Sequence, residues 1–231
     1  MSQPLYHKQV FIAATGTDIG KTYVTACLIR SLIKAGLDAR ALKPVISGFD
    51  ANDIANSDTG QLLMAMQRPC TMAEAEKISP FRFSAALSPD MAAKRENQEI
   101  DMDALVTFCQ QDAQQSTGDI TFIEGVGGAM VPLNQTQLTL DWQARLNIPC
   151  LLVMGSYLGT LSHALTCLEA LDKTGIKPLA IIINESPESP VPLEETAATL
   201  ARFCGDIPIS LLARNADAAP DALLTALQSG Q

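Results

Sequence analysis

Residues 10–22 read VFIAATGTDIGKT and restrict the fold more tightly than any other stretch of the chain. Residues 10–13 are apolar and suit a buried strand. Residues 15–18 are small or polar and suit a tight turn. From Gly20-Lys21-Thr22 onward, Val24, Leu28 and Leu32 fall on one face at helical spacing. A strand turning through small residues into Gly-Lys-Thr and a helix is the local arrangement of a phosphate-binding loop. The reason is electrostatic. The first N–H groups of a helix have no partner within it, and the helix dipole adds partial positive charge there. Gly20 lets the backbone come close to an oxyanion. Lys21 is then placed to reach β- and γ-phosphates, and the Thr22 hydroxyl to bind Mg²⁺. The spacing is irregular, because the general pattern has Gly five residues before Gly20. Thr15 stands there, and Gly16 follows it.

The alternation continues downstream. Residues 39–42, 120–123, 150–154, 179–183 and 207–211 read as strands. The first helix should stop near Ala35, at Gly36, and another run on Leu161, Ala164, Leu165 and Leu168 should stop at Gly175. Further helices are expected over 61–67, 101–116, 192–203 and 221–228. This predicts an α/β fold, with a mostly parallel sheet flanked by helices on both faces, of P-loop NTPase type. A chain of 231 residues with no internal repeat suits one domain over 1–231. Residues 68–88 lack periodicity and carry Pro69 and Pro80, so a long excursion over the active site is expected there.

Four further residues stand where α/β folds place ligands, at or beyond the carboxyl ends of strands. Lys43 precedes Pro44, which disfavours helical geometry and should leave Lys43 extended at a strand tip. It reads either as an anion-binding group or as an exposed lysine before a turn. Asp58 follows Asn56-Ser57 and reads either as a helix N-cap or as a ligand carboxylate. Glu124 closes an apolar strand and opens Gly125-Val126-Gly127-Gly128. A carboxylate there suits Mg²⁺ or water in nucleotide hydrolysis, the alternative being a solvated Glu in a flexible turn. Asn184 ends the fifth strand and is either a turn residue or a group able to read a purine edge.

Composition removes other classes. The formal charge of −9 disfavours nucleic acid and anionic membrane surfaces as partners. No apolar run is long enough to span a bilayer, and the first residues lack the apolar core of a secretion signal, so a cytoplasmic protein is expected. The six cysteines have no metal-ligand spacing and read as reduced packing residues. With two histidines in the chain, a His-based metal site or triad is not expected.

The phosphate loop, Lys-Pro-Val-x-Ser-Gly at 43–48, Asn-Ser-Asp at 56–58, Glu-Gly-x-Gly-Gly at 124–128 and Asn184 occur in this order. Together they closely resemble the dethiobiotin synthetase family over nearly the whole chain. The resemblance implies a homodimer that uses MgATP, CO₂ or bicarbonate, and 7,8-diaminononanoate to make dethiobiotin, ADP and phosphate. It implies catalytic roles for Lys43 and Lys21, and Mg²⁺ held by Thr22, Asp58 and Glu124. Nucleotide contacts would come from Asp18, Ile19, Gly20, Lys21, Thr22 and Tyr23 in the loop, and from Asp58. They would continue through Glu124, Gly125, Val126 and Gly127, then Asn184, Glu185 and Pro208. Substrate would meet Thr17 and Ser47, and, across the dimer, Gly155, Leu158, Gly159 and Ser162. The chain departs from the family at Ala14 and Gly16 in the loop, and at Asp90, Ser162 and Glu185. A second reading is a nucleotide-dependent switch of the partitioning-ATPase type. Those proteins carry a further lysine where this chain has Gly16, and they lack the Lys43 motif.

Overall fold

The computed structural model describes residues 6–115 and 117–228. Ser116, the expected end of one helix, and residues 1–5 of the leader reading lie outside them. The chain begins with β1 (Gln9–Ala14), buried at every position, which turns into α1 (Lys21–Lys34). β2 (Ala39–Leu42), β3 (Val45–Ser47), α2 (Asp58–Ala65) and α3 (Met72–Ile78) follow. Next come β4 (Phe81–Phe83), α4 (Pro89–Arg95), α5 (Met102–Gln115) and β5 (Ile120–Glu124). The remainder is α6 (Thr139–Leu146), β6 (Cys150–Met154), α7 (Thr160–Lys173), β7 (Pro178–Asn184), α8 (Leu193–Ala201), β8 (Ile209–Leu212) and α9 (Asp221–Ala226).

Six strands form one parallel sheet in the order β2-β5-β1-β6-β7-β8. The central strands read as unbroken apolar runs because both faces are covered. The chain leaves β1 toward β2 in one direction and β6 toward β7 in the other. Right-handed crossovers then place helices on opposite faces, and the reversal opens a crevice at the strands' carboxyl ends. Phe11 on β1 meets the fully buried Trp142 on α6 edge to face, with ring centroids 4.9 Å apart. Beyond β8 the chain returns over α1, where Tyr23 Oη donates to Ala216 O at 2.6 Å and the Ala219 amide donates to Ser31 Oγ at 2.9 Å.

Three features differ from the sequence expectation. Residues 45–47 are a strand, not only a shaped loop, and β3 pairs in parallel with β4 in a small second sheet. The expected excursion over 68–88 contains α3 and β4 and leads into α4. Strands of three residues are too short to show alternation. α6 was not expected at all, although Leu138, Trp142 and Leu146 repeat at four-residue spacing. It is only eight residues long and ends at Asn147, which takes the left-handed φ of 50°.

Candidate active site

The carboxyl ends of β1, β2 and β5 converge on a cleft of about 670 Å³. The phosphate loop supplies Thr17, Asp18, Gly20, Lys21, Thr22 and Tyr23 to its lining, and Lys43, Ser47, Asp58, Val126 and Gly127 join them. The loop's irregular spacing is absorbed by left-handed backbone at Asp18 (φ 56°) and Gly20 (φ 90°), so Gly16 carries no such demand. A Cβ on Gly20 would also lie 2.2 Å from Asn184 Nδ2.

At the floor lies a four-residue polar cluster. Lys43 is 2% exposed and its Nζ donates to Glu124 Oε1 at 2.7 Å and to Gly125 O at 3.2 Å. The same Nζ is 3.0 Å from Asp58 Oδ2. Thr22 Oγ1 donates to Glu124 Oε1 at 2.7 Å. Glu124 is fully buried, and its Oε2 has no hydrogen-bond partner. Lys21 Nζ donates to Gly127 O at 2.7 Å and to Gly16 O at 3.3 Å. Burial, then the positive charge of Lys43, pulls the Lys21 ammonium down to about 8. Burial alone would lower Lys43 too, but the Glu124 and Asp58 carboxylates outweigh it and hold the ammonium above the usual lysine range. Burial would raise Asp58, but Lys43, the Thr22 hydroxyl and Lys21 together bring it below the usual carboxylate range.

Local structure explains how Asp58 arrives there. Ser57, not Asp58, caps α2, since its Oγ accepts from the Gly60 amide at 3.1 Å. Asp58 is thus the first helical residue, free to point at Lys43. The donor set of Thr22, Asp58 and Glu124 fits a hard cation such as Mg²⁺. It is all oxygen, and the buried, unpartnered Glu124 Oε2 is an acceptor in want of one. No group of three or more His, Cys, Asp or Glu among the described residues makes an all-protein cage. Mg²⁺ often needs none, because phosphates and water complete its octahedron.

Asn184 Nδ2 donates to Ile19 O at 2.9 Å, while Oδ1 is buried without a partner. Asn184 therefore braces the phosphate loop and keeps one acceptor open. Glu185 Oε2 accepts from the Arg214 amide at 2.8 Å and so fastens the chain beyond β8. Ser47 Oγ is likewise buried without a partner, beside the cleft it lines. Gly125 is in close contact on its other side, where an added Cβ would come within 3.1 Å of Phe11 and of Ile12 O.

Other expected residues lie elsewhere. Gly155 is buried beside the β6 tip and its carbonyl accepts from Thr160 Oγ1 at 2.7 Å. Leu158 is 89% exposed, and Gly159 and Ser162 are exposed at the start of α7, outside this chain's own cleft lining. Pro208 must be corrected. It precedes β8, and its carbonyl accepts from the Ile181 amide at 2.8 Å. That puts it at the amino end of the strand, whereas Leu212 pairs with Asn184 at the cleft end. Pro208 had been expected from the family resemblance alone. The far wall is Ala86, Leu87, Ser88 and Pro89, so the end of the excursion expected over 68–88 does border the cleft, although none of these residues was singled out as lining. Its signal was Ser88-Pro89, a helix start with Pro in the first turn.

Comparison with known proteins follows the same lines. A family model described as "AAA domain" matches residues 8–216. The "ATP-dependent dethiobiotin synthetase BioD" of Acidiphilium cryptum is 47% identical over 199 residues, spanning 86% of this chain and 89% of that protein. The protein of that name from Caulobacter sp. is 41% identical over 222 residues, spanning 94% and 95%. Among solved structures, a ParA family ATPase from Chlorobium tepidum superposes with a TM-score of 0.54 at 17% identity, over 97% of this chain and 90% of that one. The MinC:MinD cell division complex of Aquifex aeolicus gives 0.52 at 11% identity, over 95% and 85%. At such identities the solved structures speak for the fold alone.

Proposed function

The chain belongs to the ATP-dependent dethiobiotin synthetase family, and from that premise we propose how its own residues carry the reaction. The enzyme is an ATP-dependent ligase that forms carbon–nitrogen bonds. Its substrates on this reading are 7,8-diaminononanoate and CO₂, and its products dethiobiotin, ADP and phosphate. One substrate amine adds CO₂ to form a carbamate and releases a proton. A carbamate oxygen attacks the γ-phosphorus in line, and the bond to ADP breaks. The second amine then attacks the carbamoyl carbon, phosphate leaves with the oxygen it received, and the cyclic urea closes.

Negative charge gathers on the phosphoryl and carbamate oxygens throughout. Lys21 cradles the nucleotide's phosphates at the start of α1, and Lys43 answers the charge that grows between nucleotide and carbamate. Thr22, Asp58 and Glu124 would hold Mg²⁺, which supplies charge neutralisation and a fixed orientation for the phosphates when bound. Asn184, one of whose Nδ2 hydrogens goes to Ile19 O, offers Oδ1 to a base that presents an amino group. Adenine, guanine and cytosine all carry such a group, so the choice of ATP rests on the ATP dependence of the family. The substrate amines are the nucleophiles, which suits a site that uses neither histidine. A cytoplasmic location is supported by six free cysteines, five of them buried.

The observation that carries this reading is Lys43, buried at the cleft floor within hydrogen-bond reach of Glu124 and Asp58. The test is phosphate release from MgATP or MgGTP, with diaminononanoate and bicarbonate supplied together or singly. Release that needs both and prefers ATP is expected. Steady nucleotide hydrolysis indifferent to both compounds would favour the partitioning-type switch instead.

A further inference from the structure

We infer that Lys43 and the metal ion are alternative partners of Glu124 and Asp58, so that metal entry is what delivers the Lys43 ammonium to the substrate. The inference rests on reading Thr22, Asp58 and Glu124 as the metal-site residues, and it adds a sequence of events to them.

An ammonium has three N–H donors and no acceptor. Lys43 Nζ faces three acceptors, Glu124 Oε1 at 2.7 Å, Asp58 Oδ2 at 3.0 Å and Gly125 O at 3.2 Å. All its donors are committed to the protein, leaving none for a carbamate or a phosphoryl oxygen. To act on substrate, Lys43 must release at least one of these acceptors. The two carboxylates are also the charged groups a cation would bind. Mg²⁺ binds carboxylate oxygen at roughly 2 Å. A divalent cation so bound would sit beside an ammonium already paired with the same two carboxylates, at a place where Lys43 and Glu124 are almost wholly shielded from water and like charges repel strongly. The Thr22 hydroxyl faces no such choice, since it can go on donating to Glu124 Oε1 while it turns a lone pair toward the cation.

Release has somewhere to go. Lys43 lines the cleft together with Ser47 and Ser88, and its four-carbon stem is flexible. Ser47 Oγ lies buried without a partner at the end of the same strand-and-loop segment. Before metal binds, Lys43 neutralises the fully buried Glu124, which would otherwise be an uncompensated charge. After metal binds, the cation takes over that duty and Lys43 is free to meet the carbamate. Linkage makes this reciprocal: substrate that engages Lys43 tightens metal binding.

Two measurements test this. The first is a crystal structure of the wild-type protein with Mg²⁺ and ADP. Lys43 Nζ is expected beyond about 4 Å from Glu124 Oε1, outside ion-pair contact. Metal on Thr22, Asp58 and Glu124 with Lys43 still bonded to Glu124 would overturn the inference. Metal bound elsewhere would overturn the underlying metal-site reading and this inference with it. The second is Mn²⁺ titration followed by electron paramagnetic resonance. Lys43→Met should bind Mn²⁺ about tenfold more tightly than wild type, within the usual range of couplings between sites. Equal or weaker affinity contradicts the competition. Glu124→Gln, run beside it, should bind Mn²⁺ more weakly, and no change there would remove the metal site itself.

Discussion

Lys21 and Lys43 are both buried lysines in one cleft, yet their surroundings pull them in opposite directions. Lys21 bonds to two backbone carbonyls and is lowered by burial and by Lys43, whereas Lys43 sits against two carboxylates and is raised. A ground-state phosphate ligand and a group reserved for charge developing in the reaction should respond differently to removal. Lys43→Gln is expected to bind MgATP at least as tightly as wild type by calorimetry while turnover falls by about a hundredfold or more, the usual cost of one such group. Lys21→Gln should lose nucleotide affinity as well. A Lys43→Gln protein whose whole defect is lost ATP affinity would show the two roles to be misassigned. Asp58→Asn should weaken Mg²⁺ dependence without loss of the helix start, because Ser57 is the cap. Wild-type Mg²⁺ dependence in that variant would remove Asp58 from the metal site. Lys43 was legible in the sequence as a lysine before Pro at a strand tip, Lys21 as the lysine after Gly20 at a helix start, and Asp58 only as a helix cap or ligand carboxylate after Asn56-Ser57. Their mutual contact was not, because Thr22, Lys43 and Glu124 meet only once β1, β2 and β5 lie side by side.

Among elements, α2 is seated closely on the turn before it. Gly60 presses its backbone on the turn before the helix, and an added Cβ would lie 2.0 Å from Ile54 O and 2.8 Å from Ala55 Cα. Both are backbone atoms, so the helix itself must move. Gly60→Ala is expected to cost about 1–3 kcal/mol, the range for overpacking, and to carry Asp58 away from Lys43. Thermal denaturation should show a lower Tm, and calorimetry a weaker Mg²⁺-dependent gain in ADP affinity. An unchanged value for both would mean the turn yields without moving α2. The strands of the large sheet were readable because central parallel strands are unbroken apolar runs, as in CLLVM and PLAIIIN. β3, β4 and α6 were not, since elements of three to eight residues carry too few repeats to show a period. Pro208 came from the family resemblance alone, and it lies at the amino end of β8, away from the carboxyl ends that form the cleft.

At the scale of the whole molecule, Leu158, Gly159 and Ser162 stand exposed at the start of α7, beyond the lining of their own cleft. We propose that a second copy of the chain brings them to its neighbour's substrate. Ultracentrifugation should then show a dimer at assay concentrations, and Leu158→Glu should raise the KM for diaminononanoate more than that for ATP. A fully active monomer would contradict this arrangement. On this proposal the second copy would supply the substrate's surroundings, and the proposed chemistry turns on the carbamate oxygen attacking ATP beside Lys43. Isotope transfer from CO₂ labelled with ¹⁸O tests that step most directly, with the phosphate released in a single turnover read by mass spectrometry before label exchanges with water. One ¹⁸O atom in each phosphate is the expected result, because the oxygen that accepts the phosphoryl group leaves with it when the ring closes. Unlabelled phosphate, accompanied by dethiobiotin or not, would show that the γ-phosphoryl group never passed to the carbamate.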